Sequence, residues 1–177
     1  MVTENKTILS APFLPYGFFT LHDYATGMAV YHAAHKAGVL KPDAGMAPFG
    51  FVSAPGAAGF MGMGWWRALL GRMEEATDCR WFDALDCGSS VGHAMMALTQ
   101  GQKNVILQTD SRRMDAVRSV CEIAGGLLFF ARPPSFDLTA PLSSQTHLAA
   151  YFARSYCEKM VPGNRGPAIK PRGRISQ

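Results

Sequence analysis

Apolar positions along the chain change their spacing in a regular way, and that change predicts the elements. "LHDYATGMAVYHAAHKAGVL" (residues 21–40) places Ala29, Val30, Ala33 and Ala34 on one helical face, with Asp23 as an N-cap and Gly38 as a stop. "AGMAPFGFVSAP" reads as a strand interrupted by Pro48, and "GWWRALLGRMEEA" as a helix with Trp66, Leu69, Leu70 and Met73 at helical spacing. Short solid apolar runs then alternate with spaced ones. "RWFDALDC", "NVILQT" and "GLLFFA" predict strands, while "SVGHAMMALTQ", "SRRMDAVRSVCEIA" and "SSQTHLAAYFARSYCEKM" predict helices. Gly101 suits the end of the first of these helices, and Ser111 the cap of the second.

Alternating strands and helices with short links imply βαβ units around a mainly parallel sheet. The expected fold is a small three-layer α/β/α, Rossmann-like domain of about four strands. Its strands are apolar throughout, as expected for a sheet covered on both faces. Residues 1–20 carry Pro12, Pro15 and Gly17 among aromatics and read as an irregular arm. Residues 21–160 form one α/β domain, and 161–177 a flexible basic tail with almost nothing to bury.

Composition narrows the picture. The 177 residues suit one domain with one substantial core. The longest apolar runs are too short to span a bilayer, and the N-terminal stretch lacks a basic region followed by an apolar core. A cytoplasmic location without membrane contact is therefore expected. Cys79, Cys87, Cys121 and Cys157 are widely spaced, which fits buried free thiols better than zinc ligands or disulfides. The net charge of +4 is uneven, because Lys159, Arg165, Lys170, Arg172 and Arg174 follow the last acid, Glu158. Without them, twelve basic and thirteen acidic residues leave a body at −1. The tail offers at most weak, non-specific contact with nucleic acid. "FMGMGWWRALLGRM" is read as a core helix, which needs nothing more; an exposed part of that face would favour a homo-oligomer.

Candidate chemistry gathers where strands end, since ligands of parallel sheets lie beyond the carboxyl edge. Asp86, Gly88, Ser89, Ser90 and Gly92 follow one strand, with His93 in the next helical turn as a candidate acid or base. Asp110 follows the next strand and Arg132 the last. If these residues converge, Arg132 anchors a phosphate or carboxylate and Asp110 meets a hydroxyl. The rival arrangement is an ion pair of Arg132 with Asp86 or Asp110. His32 and His35 lie three apart on one helix, but no third ligand accompanies them, so no metal site is expected.

The loop Asp86-x-Gly88-x-Ser90-x-Gly92 resembles the glycine-rich cofactor loop of class I S-adenosylmethionine-dependent methyltransferases, with serine for the middle glycine. The resemblance covers residues 80–126 and implies close backbone approach to the methionine part of S-adenosylmethionine, with Asp110 on the ribose. "RPPSF" (132–136) is similar to that family's catalytic segment, but Arg132 replaces its acid or amide and the segment comes early. Three functions follow as expectations. The first is a domain binding a small anionic or nucleotide-like ligand at the strand ends. The second is a methyltransferase-like enzyme, and the third an interaction or scaffold protein whose glycine loop is structural.

Overall fold

The computed structural model describes residue 15 and residues 17–40, 45–138 and 144–160. Within them the α/β class and the parallel sheet flanked by helices are as expected, with six strands where about four were expected. The elements are β1 (Phe18–Leu21), α1 (Tyr24–Lys36), β2 (Met46–Ser53), α2 (Ala57–Phe60), α3 (Gly62–Thr77), β3 (Arg80–Asp86), α4 (Val91–Thr99), β4 (Val105–Ile106), α5 (Ser111–Ile123), β5 (Leu128–Phe129), β6 (Ser135–Asp137) and α6 (Ser144–Met160).

Two strands lie outside the expected set. Phe18–Leu21, at the end of the expected arm, forms β1, and Ser135–Asp137 forms β6. Pro48 sits inside β2 where the register to β3 shifts between Met46 and Gly50, so its missing N–H breaks no ladder that would otherwise be regular. Asp110, not Ser111, caps α5, accepting from the Arg113 amide at 3.1 Å. The expected core positions Trp66, Leu69, Leu70 and Met73 are buried, while Phe60 is exposed. No helix among the described residues is long and apolar enough to cross a membrane. The tail 161–177 and the arm 1–14 lie outside the described residues.

The strand order β5-β4-β3-β2-β1-β6, all parallel, steps one way through the first five strands and then places β6 beside β1. Only residues 130–134 join β5 to β6. Six Cα steps reach at most about 21 Å, whereas opposite edges of a flat six-stranded sheet lie about 24 Å apart. The sheet must therefore curl. It does: the Phe18 ring of β1 stands 6.1 Å from the Phe129 ring of β5, across the concave side. The result is a strongly curled sheet, an open barrel whose edge strands β5 and β6 share no ladder.

Curling explains how the two faces are covered. Right-handed crossovers that all step in one direction put their helices on one side. Val30, Trp66, Ala94, Val117 and Leu148, from five different helices, share one core cluster with the convex face of the sheet. The concave face packs on itself through Phe18, Val52, Phe82, Ala84, Ile106 and Phe129, all strand residues. Gly50 leaves room there for Phe18 and Phe82, whose rings meet edge to face at 5.7 Å.

Candidate functional site

Register identifies what lines the barrel above its apolar floor. Thr20 of β1 is in register with Val52 of β2 and Asp137 of β6, and Ser135 lies one step below on the same face. Asp86 continues the Phe82–Ala84 row to the end of β3 by the two-residue alternation of a strand. Concave-face positions thus change from phenylalanine and valine to hydroxyl and carboxylate towards the carboxyl ends. In parallel barrels that is the edge where ligands bind.

These groups form one hydrogen-bonded chain. Asp86, whose side chain is 4% exposed, accepts from the amides of Gly56 (3.0 Å) and Gly88 (2.8 Å) through Oδ1 and from Arg132 Nη1 (2.9 Å) through Oδ2. Arg132 Nη2 donates to Thr20 Oγ1 at 3.1 Å, and that hydroxyl lies 2.9 Å from Ser135 Oγ. The Asp86 amide donates to Ser53 Oγ at the end of β2. One carboxylate therefore joins the loops after β2 and β3 to the segment between β5 and β6. At the neighbouring corner His22 Nε2 lies 2.8 Å from Asp137 Oδ1, linking the ends of β1 and β6.

The expected site residues separate into two groups. Asp86 and Arg132 are brought together, 46 residues apart in the chain, as the ion pair posed as the rival to an open pocket. Gly88 adopts φ +58°, a left-handed conformation that glycine tolerates best, and its amide is turned onto Asp86. Ser90 caps α4 by accepting from the His93 amide, Ser89 is exposed, and Gly92 lies in the first turn of α4, where an added Cβ would make only ordinary contact with Ser90 Oγ. The His93 ring lies against Gly59 of α2. Asp110 faces its own helix, pairing with Arg113 at 3.3 Å on the surface. The loop's polar groups are thus largely engaged within the chain.

Thr20, His22, Ser53, Ser135 and Asp137 were not among the expected site residues. Ser53 was visible at the end of the expected strand "AGMAPFGFVSAP"; for the other four the signal was indirect, because "FFTLH" and "PSFD" each alternate apolar and polar positions over a few residues.

A cleft of about 720 Å³ opens at the opposite end of the barrel, among Arg67, Glu74, Arg80, Asp83 and Lys103 at the amino ends of the strands. Its half-buried acid is already engaged: Asp83 Oδ2 accepts from Trp66 Nε1 (2.8 Å) and Gln102 Nε2 (2.6 Å). Burial raises the Asp83 carboxyl above the usual range, and those two bonds offset part of the rise. We therefore place the candidate site at the carboxyl end, where polar groups from several strands converge. The thiols are poorly suited to nucleophilic work. Burial, with the Asp86 charge nearby, pushes Cys87 up to about 12, and burial with Glu122 pushes Cys121 up to about 11. Cys79 is half-buried, and the side chain of Cys157 lies outside the described residues. No group of three or more His, Cys, Asp or Glu side chains among the described residues is arranged to hold a metal ion.

Comparison with protein families, curated proteins and solved structures gives no match to this chain.

Proposed function

We propose that this protein binds a small molecule bearing an anionic group at the carboxyl-end mouth of its barrel, with Arg132 as the anchor. The observation that carries this reading is the use of the Arg132 donors. Of five N–H groups, one bonds Asp86 and one bonds Thr20, which leaves three for a ligand. The side chain is 19% exposed, so it is not sealed from solvent. Asp86 and Thr20 hold the fork in place, so a planar carboxylate or a phosphate meets donors already oriented. The engagement of Asp110 with α5 and Arg113 favours this reading over a ribose-holding role for that residue.

The test is thermal unfolding in the presence of inorganic phosphate, pyrophosphate, nucleotides, sugar phosphates and S-adenosylmethionine. A ligand at one hundred times its Kd stabilises by about 2.7 kcal/mol. At least one anion is expected to raise the melting temperature of the wild type, and Arg132→Lys, which keeps the charge and loses the fork, is expected to abolish most of that rise. If no anion raises the melting temperature, or if the rise persists in Arg132→Lys, the assignment is refuted.

A further inference from the structure

Two polar couples share the mouth, and the anion anchor accounts for only one of them. The other is His22–Asp137. His22 follows β1 directly, two residues beyond Thr20 and about 6–7 Å further along the strand direction. Asp137 is in register with Thr20, so the bond at 2.8 Å brings the imidazole to the face that carries Thr20 and Ser135. With Nε2–H donated to the carboxylate, the neutral ring keeps its lone pair on Nδ1. The pair is about one-third exposed at His22 and two-fifths at Asp137, so a molecule entering the mouth can reach it. The Arg132 guanidinium, bonded to Thr20, stands on the same face.

A base held by a carboxylate, on the same face as an anchored guanidinium, suits proton abstraction next to a carbonyl. The anchored end of the substrate fixes the acidic C–H near the base, and the cation offsets charge developing on the enolate oxygen. We infer that His22, oriented by Asp137, is the general acid–base for proton transfer on a small carbonyl compound whose carboxylate or phosphate is held by Arg132. The inference rests on the anion-site reading above. In the step, His22 Nδ1 takes the proton from the carbon beside the carbonyl, and the C–H electron pair becomes the enolate. The imidazolium exchanges its proton with solvent and returns one to the same carbon, giving deuterium entry; in an α-hydroxy carbonyl compound the hydroxyl proton also passes through solvent to the former carbonyl oxygen, and protonation of the neighbouring carbon then gives isomerisation. No redox partner is needed. His22 is the catalytic residue, and Asp137 is a positioning residue.

The experiment incubates the full chain in D₂O with pyruvate, 2-oxobutyrate or dihydroxyacetone phosphate and follows deuterium entry by NMR, alongside the melting temperature with each probe. At least one probe is expected to stabilise the wild type through Arg132 and to exchange faster than without protein. His22→Gln is expected to slow that exchange by about 100-fold or more while melting and probe binding stay close to wild type. Asp137→Asn is expected to lower kcat with little change in KM. The 2-oxo acid and phosphate arms distinguish the two anionic groups. A probe that stabilises through Arg132 but shows no exchange, or exchange that survives His22→Gln, overturns the inference and leaves the anion site standing. If none of the three probes binds, the inference falls, while the anion site is judged separately by the phosphate and nucleotide panel.

Discussion

Replacing Asp86 with alanine tests the claim that one buried carboxylate holds the mouth together. Three donors lose their acceptor: the Gly56 amide, the Gly88 amide and Arg132 Nη1. Removing one member of a buried ion pair costs about 3–5 kcal/mol, and the lower end applies here because Arg132 is 19% exposed and can gain water. Each orphaned amide adds about 1 kcal/mol. A total of about 5 kcal/mol is a large part of the 5–15 kcal/mol that holds a typical domain together. With a urea slope near 2 kcal/mol per molar, the midpoint should fall by about 2.5 M. Asp86→Asn keeps an oxygen for the two amides but turns an NH₂ group or a neutral oxygen to the guanidinium, so its loss should be about half as large. The double variant Asp86→Ala with Arg132→Leu should lose less than the sum of the singles, since neither then leaves a buried charge behind. A single variant within 1 kcal/mol of wild type, or strict additivity in the double, would refute the proposed clasp.

Four further outcomes follow from the geometry. Gly50→Val should lower stability by about 2–3 kcal/mol in urea unfolding, because an added Cβ meets the Phe82 carbonyl, Pro15 and the Phe18 ring at 2.9–3.1 Å on the packed concave face; an unchanged midpoint would argue against a filled barrel. Gly88→Val should cost at least about 1–2 kcal/mol for its left-handed φ of +58°, whereas Gly92→Val, on a helical turn where its Cβ meets only Ser90 Oγ at an ordinary contact distance, should cost under about 1 kcal/mol; equal costs by thermal unfolding would contradict the assignment of the tight turn to Gly88. Asp83→Asn should stabilise the protein near neutral pH. The folded carboxyl is raised by burial, so the stabilising contribution of its protonated form is complete below the unfolded value and lost as pH rises through the folded one; the gain over wild type in urea midpoints should therefore shrink as pH falls towards 4 and below. Finally, Cys87 and Cys121 should resist a thiol reagent at pH 8 and react on unfolding, as mapped by mass spectrometry, because burial keeps both as thiols; rapid native labelling of Cys87 would show that the strand end opens.

Much of this architecture is written locally. Helices α1, α3, α4, α5 and α6 carry their periodicity, and most of their caps, within a dozen or so residues, so Trp66, Leu69, Leu70 and Met73 could be assigned to the core from spacing alone. The same holds for β2 and β3, whose seven or eight residues give an apolar run long enough to recognise. Asp86 and Arg132 were legible as strand-end residues because each follows a solid apolar run, "RWFDALDC" or "GLLFFA". β1 and β6 were not, because one lies among the Pro, Gly and aromatic residues of the arm and the other directly follows Pro133-Pro134, and their extended form depends on pairing with each other and, for β1, with β2. With them went Thr20, His22, Ser135 and Asp137, which come to the mouth only because the sheet curls until β6 stands beside β1. Curvature itself is non-local. It follows from the short link 130–134 and from the packing of Phe18 on Phe82 and Phe129, contacts between residues that no local spacing relates. Local periodicity thus determined which segments became helices and long strands, and the closing of the sheet decided which polar residues meet.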